Sequence, residues 1–526
     1  MNLVDQQIEH MKKLNSVSAS PEITGEFVDI DGERFYRIAH YDQMPWFFMS
    51  LVSADDHWLF LSSNGGLTAG RQHADRAIFP YYTEDKLVDL AGSTGALTIF
   101  RTQGQLWQPL TRCEAPFHQS ERNLYKSALG DEIIFEEINR NLVYRQSWRF
   151  SDKFGLVKTV SLSNQSDEPI SLEVLDGMQN LLPANVDADT QNRLSSLLDA
   201  YKSAEIVEGN VALFYLSSRL TDLAEPSESL RANTVWGRGL GGINTLDPDA
   251  VAQFRHGKII TSCPNTRGKR GALFVSGEVS LAPGESQSWF QVAEVHQTAS
   301  EVLALQSVLV HEDIGSELLA DIQSGKRRLL AKVGMGDGLQ VSGQEQTAVH
   351  HYANCLFNVM RGGLFEDGYQ VNINDLNRFV TVRNNAAGKH PWWQEFSEDN
   401  INLHMLLDRA ESITDADLAR LVAEYLPLSF SRRHGDPSRP WNRFSINIKD
   451  EFGQSLKDYQ GNWRDIFQNW EPLAYTYPKF LPAMISAFLN ATTLDGYNPY
   501  RVTRSGIEWE KPEADNPWAN IGYWSD

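Results

Sequence analysis

An α+β chain of several domains is what this sequence predicts: a large antiparallel β-sandwich, a helical linker, and then a helical domain. Three observations carry that prediction. Through the first 297 residues, β-branched and aromatic segments are broken by Gly, Asp and Asn turns. Near Ser300 the apolar spacing changes from alternation to every three or four positions. At 526 residues the chain also exceeds what one hydrophobic core ordinarily serves.

The strand-rich part is assigned to residues 1–298. Its segments include EFVDIDGERFYRIAHY, HWLFLSS, GALTIFRT, DEIIFEEI, LVYRQSWRFSDKFGLVKTVSLSN and ISLEVLDGM, and a sandwich is the simplest packing for so many strands. QNRLSSLLDAYKSAE (191–205) places Leu194, Leu197, Leu198 and Tyr201 at helical spacing, which predicts one helical excursion from a sheet loop. Strand patterning resumes at VALFYLSSRL and closes with GALFVSGEVSLAPGESQSWFQVAEVHQ. The linker, residues 299–343, carries the run SEVLALQSVLVHEDIGSELLADIQSGKRRLLAKV. The remainder, 344–526, holds helical patterns at NINLHMLLDRAESI, DADLARLVAEYLPL and PKFLPAMISAFLNATT, separated by long polar loops of the kind that usually carry function.

Composition narrows the function classes. The formal charge is −21, with 68 acidic residues against 47 basic, so the global field repels nucleic acid. No apolar run approaches the roughly 20 residues that span a bilayer, and the start MNLVDQQIEHMKKLN lacks the apolar centre of a signal peptide. Cys113, Cys263 and Cys355 are far apart and show no metal spacing, so a cytoplasmic protein without disulfides or a zinc site is expected. The consecutive His350 and His351, with Asp367 or His390, do not form an i, i+4 ligand pair, and no metal is expected. Aromatic residues are plentiful, with 14 Trp, 17 Tyr and 25 Phe; most such rings pack cores, and some stack on sugars.

The stretch YQGNWRDIFQNWEPL (459–473) concentrates chemistry. Asn462 is placed to cap a helix whose Trp463, Ile466, Phe467 and Trp470 form an apolar stripe. Arg464, Gln468 and Glu471 fall on one polar face, with Asp465 and Asn469 beside them, and Pro472 is expected to end or kink the helix. Periodicity by itself describes a surface helix with an internal ion pair. Two loops add charge: GRQHADRAIFPY (70–81) offers Arg71, His73 and Arg76, and SRRHGDPSRPWNRF (431–444) offers five basic side chains counting His434, as a loop suited to lining an anion site.

WRDIFQNW (463–470) resembles the YRDxxQD segment of the cellobiose phosphorylase family, inverting glycoside phosphorylases that pair an N-terminal β-sandwich with a helical linker and an (α/α)6 barrel. SSNGGLTAGRQHADRAIFPYYTEDK (62–86) resembles the Gly-rich region of that family's sandwich, and NPWANIGYWSD (516–526) resembles the stretch ending in its catalytic aspartate. The resemblance implies that residues 344–526 form the first part of the toroid. It implies that Arg464 and Asp465 bind the sugar on the non-reducing side of the cleaved bond, with Gln468 matching the family's glutamine, Trp463, Trp470 and Glu471 nearby, and Asp526 acting as general acid. Asn469 stands where the family has an aspartate, which removes a charge from that group. Inorganic phosphate would be co-substrate, with no other cofactor, since the anion itself replaces the base and water of a hydrolase.

Two alternatives stay open. An inverting glycoside hydrolase would need a second carboxylate such as Glu471, Asp495 or Glu508 about 6.5–9.5 Å from Asp526. A non-catalytic carbohydrate-binding or assembly subunit would need none. The roughly 180 residues from Gln344 to Asp526 supply about half of a twelve-helix toroid. The expected partners are therefore an oligosaccharide and the remainder of the barrel or a second polypeptide, with a homodimer compatible and neither nucleic acid nor membrane.

Overall fold

The computed structural model describes residues 22–102, 104–111, 120–220, 230–311, 313–433, 435–439, 444–450, 453–509 and 523–524. An eleven-stranded antiparallel sheet and a five-stranded antiparallel sheet dominate its first part. They face each other through two apolar clusters. Leu124, Phe135, Trp148 and Leu156 of the large sheet meet Met178, Leu181 and Leu273 of the small one. Tyr144, Val160, Leu162 and Trp289 meet Phe100, Leu172, Val174 and Val279. Strand alternation sets the layers: Leu156 points into the sandwich while its neighbour Val157 joins an outer cluster with Phe154, Trp236 and Val292.

That outer cluster is where the linker packs. Helices Ala299–Leu309 and Ile314–Met335 press Leu309, Ile314, Leu318 and Ile322 onto the outer face of the large sheet. The first of them starts with a reciprocal cap. The Glu301 amide donates to Thr298 Oγ1 at 3.3 Å, and the Thr298 amide donates to Glu301 Oε2 at 2.7 Å. Thr298→Ala is expected to cost about 1 kcal/mol of unfolding free energy; an unchanged urea midpoint would show that the packed face alone holds this helix.

The predicted helix over 191–205 is helix Ala188–Asp199 followed by a strand, Lys202–Val207. Residues 202–205 leave the helical pattern because their backbone pairs with Val211–Leu216 in the large sheet, and tertiary pairing outweighs local spacing. Beyond the linker lie six helices of eight or more residues among those described: Glu345–Gly362, Ile373–Arg383, Leu403–Ala410, Ala416–Ala423, Trp463–Thr476 and Leu481–Leu489. One core unites them with the sandwich residues Trp58, Tyr81, Leu182 and Leu198 and with the linker residues Leu329 and Val333. The last helix leaves Leu481, Ile485 and Leu489, one i, i+4 stripe, exposed at 41%, 47% and 70%.

Charge fastens the same junction. The buried Asp55 accepts from Arg328 Nη2 at 2.7 Å and pairs with Lys449 Nζ at 2.7 Å, while Arg432 Nη2 donates to the carbonyls of Ser53 and Asp55, each at 2.7 Å. Burial alone would raise the Asp55 carboxyl; Lys449 and Arg328 outweigh it and hold it below the usual carboxylate range. Beside it, Arg71 donates to Asp56 at 2.8 Å and to Glu294 at 2.6 Å. No helix among the described residues is long and apolar enough to cross a membrane.

Candidate functional site

Three helices of the C-terminal part begin in the same way, with a short strand running straight into an asparagine. Asn372 accepts from the Asp375 amide and Asn402 from the His404 amide, each at 3.0 Å, in the usual manner of an N-cap. Asn462 holds the third such position, at the start of helix Trp463–Thr476, yet its side chain makes no capping bond. The entry is fixed through the backbone instead. Gln460–Asn462 pairs antiparallel with Arg501–Thr503, and the Trp463 amide donates to the Tyr500 carbonyl at 3.1 Å.

The helix divides its residues between core and surface differently from the sequence expectation. Trp463, Asn469 and Trp470, expected beside a sugar, are only 4%, 4% and 2% exposed. Trp463 meets Phe488 edge-on at 4.5 Å, Trp470 Nε1 donates to the Gly362 carbonyl at 2.9 Å, and Asn469 Nδ2 donates to Asn358 Oδ1 at 3.1 Å. The spacing 463, 466, 469, 470, 473 is a single helical stripe, so Asn469 belongs with the tryptophans and away from the polar face. A neutral amide suits that place, because an unpaired carboxylate there would be costly. Phe467 sits at the margin, 51% exposed and stacked on Phe488 at 3.5 Å. Pro472 neither ends the helix nor marks a boundary; the helix continues to Thr476.

Arg464, Asp465, Gln468 and Glu471 are the exposed residues of this helix's polar side. Asp465 acts electrostatically on Arg361, the penultimate residue of helix Glu345–Gly362. Burial lowers the proton affinity of the Arg361 guanidinium, Asp465 and Asp436 favour its charge, and Arg439 opposes it. Among the described residues that guanidinium has no hydrogen-bond or ion-pair partner, although five N–H donors are ready on it. Asp436 also acts on Tyr81, whose buried hydroxyl has no hydrogen-bond partner among the described residues and whose proton affinity is raised first by burial and then by Asp436. Tyr81 closes the sandwich segment GRQHADRAIFPY, and Asp436 and Arg439 lie in SRRHGDPSRPWNRF.

The structure thus joins the sandwich segment, the basic loop and the polar helix face through Tyr81, Asp436, Arg361 and Asp465. Nothing local in the sequence marked Arg361, a single arginine ending a helix. The basic loop carried a signal, in its Asp and Arg flanked by Gly and Pro. Tyr523–Trp524 forms a short strand with Tyr497–Asn498, just before Tyr500, whose carbonyl anchors Trp463. Asp526 lies outside the described residues. Of the alternative carboxylates, Glu471 and Asp495 are exposed, and Glu508 accepts from Arg501 Nη1 at 2.8 Å.

No group of three His, Cys, Asp or Glu side chains able to hold a metal occurs among the described residues. His351 Nε2 lies 2.8 Å from the Asp337 carbonyl and 3.5 Å from Cys355 Sγ, so its ring is engaged in packing the linker onto the helical part.

No family model matches the chain, and no curated protein matches it. Solved structures show distant likenesses. A putative aldose 1-epimerase from Escherichia coli K12 is 12% identical, covering 48% of this chain and 99% of its own, with a TM-score of 0.25. A putative kojibiose phosphorylase from human microbiome is 9% identical over 88% of this chain, which spans 46% of that protein, with a TM-score of 0.27. A polysaccharide lyase is 11% identical, covering 49% of this chain and 33% of its own, again at 0.27. At such identities and scores these likenesses decide nothing about activity.

Proposed function

We propose that the chain is a carbohydrate-active protein of the inverting glycoside phosphorylase type, acting on a β-linked disaccharide or short oligosaccharide. The observation that supports this best is the Arg361 guanidinium, which has no hydrogen-bond or ion-pair partner among the described residues and whose charge Asp465 favours. A charged donor fork and a carboxylate acceptor, on two packed helices, suit the alternating hydroxyls of a sugar ring. In this reading Arg361, Arg464, Asp465 and Gln468 hold the sugar. Asp526 gives its proton to the leaving glycosidic oxygen as the bond from the anomeric carbon breaks. Phosphate oxygen forms the new bond from the opposite face, giving an α-sugar 1-phosphate and the freed sugar. No general base is needed, since phosphate is already an anion near neutral pH. Further helices, from a longer chain or a second polypeptide, would complete the toroid, cover the Leu481, Ile485 and Leu489 stripe and bring the phosphate site.

The test is cleavage of β-linked disaccharides by the protein purified from its source cells, with and without phosphate. Sugar 1-phosphate released only when phosphate is present is the expected result. Equal cleavage in phosphate-free buffer would mean an inverting hydrolase, and sugar binding without turnover in either buffer would leave the assembly-subunit reading in its place.

A further inference from the structure

A cavity of about 440 Å³ opens between the ends of central strands of the large sheet, Ser286–Gln297 among them, and the first linker helix. Its lining includes Arg76, Arg231 and His296, together with Ala304, Leu305 and Val308 of helix Ala299–Leu309. The remaining charges around it are mostly spoken for. Arg71 is held by Glu294 and Asp56, and Lys153 pairs with Glu317. Asp152 accepts from Lys449 at 2.7 Å, and Glu301 caps its own helix while lying 3.7 Å from Arg231. Arg76 has a different position. Its guanidinium donates to the neutral Gln72 side chain, it forms no ion pair among the described residues, and the charge it feels most is the like charge of Arg231.

His296 completes the arrangement. Its backbone takes φ +58°, a left-handed conformation uncommon for a non-glycine residue, and its amide donates to Asn233 Oδ1 at 2.9 Å. Burial, Arg76, Arg231 and His73, in that order, push its imidazole down to about 4, so it is neutral at pH 7. The site therefore collects guanidinium groups with imidazoles, and among the described residues Arg76 has no ion pair there, only the electrostatic pull of Asp56, which is weaker than the push of Arg231. Leaving a half-buried arginine beside another arginine is unfavourable unless an anion arrives.

We propose that this cavity binds a phosphate group, inorganic or as a monoester, gripped by Arg76 and Arg231 with His296 as an additional donor. Arg231 Nη1 donates to the His296 carbonyl at 3.0 Å, which holds those two residues side by side. Tetrahedral oxyanions suit this set, because a guanidinium can give two parallel hydrogen bonds to their oxygens. Bound there, a dianion would reverse the local field and draw a proton onto His296. The site is independent of the sugar-binding reading, since it lies on the sandwich and linker and uses none of the residues assigned to the sugar.

The experiment is calorimetric titration of the full chain with orthophosphate and, separately, with glucose 1-phosphate at pH 6.5. In parallel, the His296 Cε1–H resonance is followed by NMR in protein labelled at histidine and assigned through His296→Asn. Saturable binding that weakens at least tenfold in Arg76→Gln and in Arg231→Gln is expected, with the His296 resonance moving toward the protonated position in the wild-type chain. Tighter binding of the sugar phosphate would identify a monoester as occupant; equal or tighter orthophosphate binding would identify the free anion. Absence of saturable binding, equal affinity in the Arg76→Gln protein, or a His296 resonance unmoved at saturation would overturn the proposal. The NMR titration itself is read in the wild-type chain, with the His296→Asn protein used only for assignment.

Discussion

Replacing Arg71 with leucine is expected to cost about 3–5 kcal/mol, the range for removing one partner from a buried ion cluster. Arg71 is largely buried, its side chain 16% exposed, and supports two carboxylates at once, Glu294 on the large sheet and Asp56 ahead of strand His57–Ser62, whose side chains are only 10% and 11% exposed. Without the guanidinium both would stay buried with their negative charges facing each other. Burial already raises the Glu294 carboxyl against the pull of Arg71, so its simplest relief is to take up a proton. The cost should show as a lower urea midpoint at pH 7. A second change, Glu294→Leu in the Arg71→Leu background, should recover part of it, because an apolar pair is cheaper than a lone buried charge. A single variant as stable as the wild type would remove Arg71 from the account of what holds this junction.

Arg361→Ala is expected to weaken sugar binding by about 1.5–3 kcal/mol, as for a lost charged hydrogen bond, or roughly ten- to 150-fold in Kd. Stability should change little or rise. The guanidinium is half-buried, has no hydrogen-bond partner among the described residues and meets the like charge of Arg439, so the folded chain gains little from it. That opposition between affinity and stability distinguishes a ligand-binding arginine from a structural one. Arg361→Lys should recover only part of the affinity, because an ammonium cannot present two parallel donors. Unchanged calorimetric affinity for the disaccharide in Arg361→Ala would remove this residue from the sugar site, and a large drop in the urea midpoint would mean the structure needs it.

How far the sequence reaches can be seen residue by residue. Leu156 and Val157 differ in direction because strands have a two-residue period, and the period lengthens at the Thr298 cap because helices have another; both are local patterns, so the sequence of layers was legible. Asn469 was placed on the wrong side because the stripe through Trp463 and Trp470 is wider than two tryptophans suggest, and only the packed neighbour Asn358 settles where an amide at that position goes. Spacing alone puts Lys202 in a helix, because it does not register a strand waiting about 10 residues downstream. Arg361 was invisible for a related reason. Its meaning comes from Asp465, Asp436 and Arg439, all more than 70 residues away along the chain, and no period connects them.

The single core that Trp58 and Tyr81 share with the helices has a further consequence for how this chain can be divided. Separating the two parts between strand Ser286–Gln297 and helix Glu345–Gly362 would turn the sandwich's share of that core, and the helices' larger share, toward water. Any shuffling of this helical part onto another sandwich must therefore carry the facing surface of Trp58, Tyr81, Leu182 and Leu198 along with it.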